Sequence, residues 1–173
     1  MSIITKRGDE GTTDLLFGGK ISKSDPQIEA LGAVDELNAA LGMARVVMEG
    51  EGADAIDKVQ KWLVTLMGEL AMPVGKDEDY QRAGFGRIGD EETQWIENWS
   101  KGIEGQRKFD GWLRPGAAGG ELAARLHVAR TVARRAERCS WQVPEEVASQ
   151  KLRVFLNRLS DALWLMARRS EEK

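Results

Sequence analysis

Apolar side chains recur along this chain at three- and four-residue spacing, a period that predicts helices with one buried face. Leu31, Val34, Leu37, Leu41, Ala44 and Met48 form the first such stripe. Asp25 has the character of an N-cap with Pro26 in the first helical position, and Gly50 and Gly52 predict where this helix stops. Ile56, Val59, Leu63, Leu66 and Leu70 form a second stripe that ends at Pro73. Residues 73–89 are charged and glycine-rich and read as a loop. Asp90 to Lys101 predicts a short helix with Trp95 and Trp99 on one side, followed by an irregular segment over 102–120. A long helix is expected from Glu121 to Trp141, with Leu122, Leu126, Ala129, Ala133 and Ala136 inward. Pro144 is expected to open the last helix, whose core positions are Leu152, Leu156, Leu159, Leu163 and Met166. Residues 1–24 have no helical period and read as an extended or looped arm. Most of the six tryptophans fall at core spacing. With no convincing strand, the pattern predicts an all-α helix bundle.

Composition narrows the function. A chain of 173 residues with 42% hydrophobic and 31% charged residues suits one soluble domain with a real core. The expected division is a single domain over 1–173, with an arm at 1–24 and a helical bundle at 25–173. A net charge of −3 gives no electrostatic reason to expect nucleic acid or an anionic membrane as partner. Charge is nevertheless uneven, with Arg125, Arg130, Arg134, Arg135 and Arg138 set against the lone Glu137. Cys139 is the only cysteine and His127 the only histidine, which excludes an intramolecular disulfide and the usual zinc and di-iron sites. No apolar run approaches the roughly 20 residues that span a bilayer. Met1 to Lys6 lacks the apolar stretch of a secretion signal, so a cytoplasmic location is expected.

Candidate chemistry lies in polar lanes beside the apolar stripes. His127, Arg130, Arg134 and Glu137 share one face of their predicted helix. Asn157, Asp161, Trp164 and Arg168 repeat the arrangement on the last helix, and Asp35, Asn38 and Arg45 on the first. Such lanes are either a solvated, salt-bridged surface or the walls of a polar cleft in which fixed arginines hold a polyphosphate. The arm from Thr5 to Thr13, Thr-Lys-Arg-Gly-Asp-Glu-Gly-Thr-Thr, has the composition of an anion-cradling loop, with Lys6, Arg7 and Lys23 as counter-charges. It equally suits a solvated terminus. No Gly-x-x-x-x-Gly-Lys-[Ser/Thr] phosphate loop is present. The Gly84–Gly89 stretch matches Gly-x-Gly-x-x-Gly in letters only, because no strand or βαβ unit surrounds it.

Taken together, four blocks resemble the PduO-type cob(I)alamin adenosyltransferase family. They are Thr5–Thr13 with Lys23, Gly32–Asn38, Leu126–Arg138 and Phe155–Asp161, in the family's order. The resemblance implies a five-helix up-and-down bundle, four long helices and one short, that assembles as a homotrimer with ATP between neighbouring subunits. It places Thr5, Lys6, Arg7, Gly8, Thr13, Asp14 and Lys23 around the ATP phosphates. Arg134, Arg135, Ala136, Glu137, Arg138 and Asn157 would complete the nucleotide site. Asp35 and Arg130 match a pair that bridges subunits beside the corrinoid. A magnesium ion would accompany the triphosphate, held by its oxygens rather than by protein side chains. The implied reaction moves the 5'-deoxyadenosyl group of ATP to the cobalt of cob(I)alamin or a related corrinoid and releases tripolyphosphate. A reductase and an adenosylcobalamin-dependent enzyme are the further partners it suggests.

The family reaches the +1 cobalt state with an aromatic wedge, usually phenylalanine, three positions before a Pro-Gly pair. Here that slot holds Trp112, ahead of Pro115 and Gly116, with Phe109 as a rival. The segment is also slightly longer at Ala117-Ala118. The departure leaves a second reading open, a non-catalytic corrinoid or nucleotide carrier on the same fold.

Overall fold

The computed structural model describes residues 4, 6–106, 109, 111, 113–118 and 120–171. Two strands, β1 (Thr12–Asp14) and β2 (Lys20–Ser22), precede six helices: α1 (Pro26–Arg45), α2 (Glu51–Leu70), α3 (Asp77–Arg82), α4 (Asp90–Glu104), α5 (Gly120–Ser140) and α6 (Gln150–Glu171). The fold is therefore mostly helical, as the apolar period predicts. The expectation of five helices and no strand needs correction. The loop at 73–89 contains α3, and the arm contains an antiparallel hairpin with Thr13 opposite Ile21.

Local chemistry explains the boundaries. The Asp25 carboxylate accepts a hydrogen bond from Gln27 N at 2.8 Å, and Pro26 occupies the first turn of α1. The helix stops at Arg45, ahead of the glycines expected to end it. Gly50, with φ +66, instead precedes the first turn of α2, and Gly52 lies within that helix. At α4 the Glu92 carboxylate reaches back to Gly89 N at 2.8 Å, and Asp90, Glu91 and Glu92 fill the positive first turn. Pro144 does not open α6. Val147 N and Ala148 N both bond its carbonyl, at 3.0 and 2.9 Å, closing a single turn before the helix begins at Gln150.

Interhelical bonds fix the directions. Arg125 meets the Met43 carbonyl and Arg135 meets Glu36, so α5 runs antiparallel to α1. Arg45 grips Asp57 through two bonds of 2.5 and 2.9 Å, and Gln60 donates to the Asn38 carbonyl, tying α2 antiparallel to α1. Arg158 pairs with Glu97 and Lys151 with Asp90, which sets α4 parallel to α6. Between them lies a fully buried core that includes Leu37, Leu41, Leu63, Leu126, Leu156 and Leu163. Ala129, Ala133 and Ala136 occupy the buried face of α5, where small side chains let neighbouring helices approach closely. The described tryptophans, by contrast, lie at the margin of this core or outside it, with Trp62, Trp95 and Trp99 packed against it. Trp62, Trp95 and Trp99 are half-buried, Trp141 and Trp164 are exposed, and Trp112 lies outside the described residues. Among the described residues, no helix is long and apolar enough to cross a membrane.

Candidate functional site

The arm builds a polar hollow of about 220 Å³ lined by Arg7, Gly8, Thr12, Thr13 and Asp14. Its frame is the β1–β2 pairing together with a 2.9 Å bond from Lys23 N to the Gly11 carbonyl. That bond swings the Lys23 side chain across the loop. A Cβ added at Gly8 would lie 2.7 Å from Lys23 Nζ, so a larger residue there would displace the ammonium from its place over the loop. Lys6, Arg7 and Lys23 are exposed, and none of them pairs with a carboxylate among the described residues. Thr5, the remaining expected member of this group, lies outside the described residues.

Helices α5 and α6 supply a second group. Arg134 and Arg138 are exposed, and Arg138 Nη1 donates to the Arg134 carbonyl at 3.0 Å. Arg135 turns the other way to pair with Glu36. Glu137 accepts from Trp141 Nε1 at 2.5 Å. Ala136 is fully buried and faces the core, so its side chain cannot meet a ligand there. Asn157 is half-buried on α6. Among the described residues, no hydrogen bond or ion pair joins residues 6–24 to α5 or α6. Both groups nevertheless sit toward one end of α1. The arm runs straight into its N-terminus, and the Glu29 carboxylate lies near enough to Cys139, on the last turn of α5, to act on its thiol. Burial first, and Glu29 second, push that thiol above its ordinary range, which makes it a poor nucleophile.

A third hollow, also about 220 Å³, opens toward the far end of α5, among Leu113, Pro115, His127, Arg130, Trp164 and Arg168. Here one end of the α5 and α6 lanes turns inward, with His127 and Arg168 buried, whereas Arg134, Asp161 and Asp35 stay exposed. His127 Nε2 lies 3.1 Å from Glu171 Oε1, and Arg168 Nη1 donates to Glu171 Oε2 at 3.2 Å. Glu171 was missed in the sequence, yet one more turn of the Asn157–Arg168 lane reaches it. Arg130 keeps a buried Nε with no acceptor. Asp35, its expected partner, is exposed on α1 and makes no ion pair with any described residue. Phe109 sets its ring edge-on to Trp164 at 5.9 Å, while Trp112 falls outside the described residues. No cluster of three His, Cys, Asp or Glu side chains suited to a metal occurs among the described residues.

The overall fold is shared with known proteins. The cobalamin adenosyltransferase family profile matches residues 3–170. The chain belongs to that family. It is 37% identical over 171 residues to the corrinoid adenosyltransferase PduO of Salmonella typhimurium, covering 97% of this chain and 49% of the relative. It is 32% identical to a corrinoid adenosyltransferase of Mycobacterium tuberculosis, covering 96% of this chain and 86% of the relative. The chain thus spans about half the length of the PduO relatives it matches. Among solved structures, it is similar to a variant PduO-type ATP:corrinoid adenosyltransferase from Lactobacillus reuteri in complex with cobalamin and ATP. That likeness has a TM-score of 0.84 at 32% identity, over 96% of this chain and 92% of that one.

Proposed function

We propose that this chain transfers the 5'-deoxyadenosyl group of ATP to the cobalt of a reduced corrinoid and releases tripolyphosphate. The carrying observation is the set of cations left without carboxylate partners, Lys6, Arg7, Lys23 and Arg134, on a chain matched to this family over residues 3–170. Uncompensated positive charge at a hollow rich in hydroxyls and backbone N–H groups suits a polyphosphate. Cob(I)alamin is itself a strong nucleophile. Its cobalt attacks the ribose 5' carbon, a Co–C bond forms, the C–O bond to the triphosphate breaks, and the triphosphate departs with the electron pair. No side chain needs to act as nucleophile, and the protein's tasks are orientation and stabilisation of charge on the leaving group. On this reading Lys23, Arg134 and Arg138 would do the latter. A magnesium ion held by the triphosphate oxygens would add charge neutralisation.

The same reading treats the chain as one arm-and-bundle unit, its five longer helices forming the family's bundle and α3 lying in a connection. It also makes the working form a homotrimer. Arg130 holds a buried N–H without an acceptor, and Asp35 is an exposed carboxylate without a cation. A neighbouring subunit can complete both, and would bring the arm of one chain to the α5–α6 face of the next. The hollow beside Arg130 and Trp164 then faces the corrinoid, with Trp112 or Phe109 as the wedge. A reductase would supply the electron, and an adenosylcobalamin-dependent enzyme would take the product. The test mixes protein, MgATP and chemically reduced cobalamin, then follows the absorbance change of Co–C bond formation alongside tripolyphosphate release. Adenosylcobalamin and tripolyphosphate are expected in equal amounts. ATP binding without conversion would make the chain a carrier instead.

A further inference from the structure

The segment 73–89, which the sequence presents as a charged loop, is tethered at several points. The Gln27 side chain donates to the Leu70 and Met72 carbonyls at 2.8 and 3.0 Å, holding the end of α2 against the first turn of α1. Buried Glu69 accepts from Ile88 N at 2.6 Å, and Arg87 bridges Glu69 and Asp77 at 3.7 and 2.7 Å. Tyr80, almost fully buried, donates its hydroxyl to the Gly86 carbonyl at 3.1 Å. The corner made by the end of α2, by α3 and by residues 83–88 is therefore a rigid platform.

The arm docks on that platform by its turn. Leu16 N donates to the Ala71 carbonyl at 2.9 Å. Phe17 sets its ring edge-on to Tyr80 at 6.3 Å and to Phe85 at 6.1 Å, while Tyr80 and Phe85 stack on each other at 5.1 Å. Such geometries add attraction beyond simple burial. Phe17 makes these contacts from the left-handed region, at φ +58, where bulky residues are disfavoured. Phe17 and Phe85 both stay partly exposed, 38% and 47%, so neither is a core residue. The turn is short. Leu15 N bonds the Gly19 carbonyl at 3.0 Å, and Asp14 pairs with Lys20, so fixing Phe17 fixes the strand that carries Thr12, Thr13 and Asp14.

We propose that Phe17, Tyr80 and Phe85 form an aromatic clasp that positions the ATP-binding arm, and that they are positioning residues for adenosyl transfer although they lie outside the arm's polar hollow. The proposal rests on the reading that the arm binds ATP. Without the clasp the hairpin samples other orientations, and apparent ATP affinity falls by the fraction of time spent in the competent one. The chemical step, once ATP is seated, is unchanged.

The test compares Phe85→Ala, Phe17→Gly, Phe17→Tyr and Lys23→Ala in the steady-state assay. Glycine accepts the left-handed backbone better than phenylalanine does, so Phe17→Gly removes the ring without adding strain. For Phe85→Ala and Phe17→Gly, KM for ATP should rise roughly fivefold to tenfold. Their kcat and corrinoid KM should stay within about twofold of the parent, with little change in Tm. Phe17→Tyr should restore most of the affinity. A parental ATP KM in both ring-removal variants would overturn the clasp, and so would a parallel fall of kcat, corrinoid KM and Tm. Lys23→Ala separates the two levels. If it too leaves ATP KM unchanged, the arm reading itself fails and the clasp with it. If it raises KM while the ring variants do not, the arm binds ATP and only the clasp is wrong.

Discussion

The two cationic groups assigned to ATP are built on opposite principles. On α5, Arg134 and Arg138 rise from a helix whose other face, Ala129, Ala133 and Ala136, is fully buried. Their spacing is set by the helix and their position by the core. In the arm, Lys6, Arg7 and Lys23 flank strands three residues long, and the arm is tied to the helices by one backbone hydrogen bond to Ala71 and a cluster of three rings. One group thus stands on a helical wall packed against the core and the other on a hairpin docked by a few contacts. Charge identity should matter most on the wall, and placement most on the hairpin.

That contrast can be broken from either side. The largest effect is expected from Leu156→Ala, which empties a fully buried position of α6 and should cost about 3 kcal/mol of stability. Chemical denaturation would show it as a lower midpoint at unchanged slope. If instead the midpoint stays put, the α5–α6 wall is not held by this core. Arg134→Ala should come next, raising KM for ATP tenfold to a hundredfold by loss of a charge-assisted contact while leaving the fold intact. A normal ATP requirement would reduce the α5 face to surface decoration.

The third prediction concerns the platform under the arm. Burial raises the Glu69 carboxyl from 4.5 to about 7, against the opposing pull of the Ile88 N–H and Arg87. The unfolded chain gives up this proton near 4.5 and the folded chain only near 7, so unfolding releases a proton between those values. Stability should therefore be fullest below 4.5, decline as pH rises through the window, and level off above 7, by at most about 3 kcal/mol from this group. Glu69→Gln keeps an acceptor for Ile88 N and removes the titration. Its denaturation midpoint should change less between pH 5 and pH 8 than the parent's. Parallel pH profiles for the two proteins would show that Glu69 does not titrate in this range.

Much of this organisation could be read before any coordinates. The apolar period located α1, α2, α5 and α6 because each stripe is long enough to repeat, and Asp25-Pro26 marked the start of α1 through purely local chemistry. What the sequence hid depends on contacts between distant residues. Helix α3 is six residues long and is anchored by Tyr80, too short for a period to emerge. The partners of Phe17 lie more than sixty residues away, so nothing local marks it as a docking residue. Gly50 was read as the end of one helix when it sits at the start of the next, since glycine at φ +66 serves either junction. Around the candidate site, the cations and glycines of the arm stand close together in the sequence, as with Lys6, Arg7 and Gly8. The pairing of His127 with the remote carboxylate of Glu171 was not legible there.

The alanine face of α5 carries one further consequence. Because Ala133 and Ala136 have no side chain to spare, the separation between α5 and its neighbours is a fixed gauge, and the arginines beside them inherit it. Two added methyl groups, as in Ala133→Val, would touch no ligand and change no charge, yet they would shift Arg134 bodily away from its place on the helix face. Inactivating changes on this helix will therefore include substitutions that look conservative, and ATP binding will be lost at positions that never contact ATP.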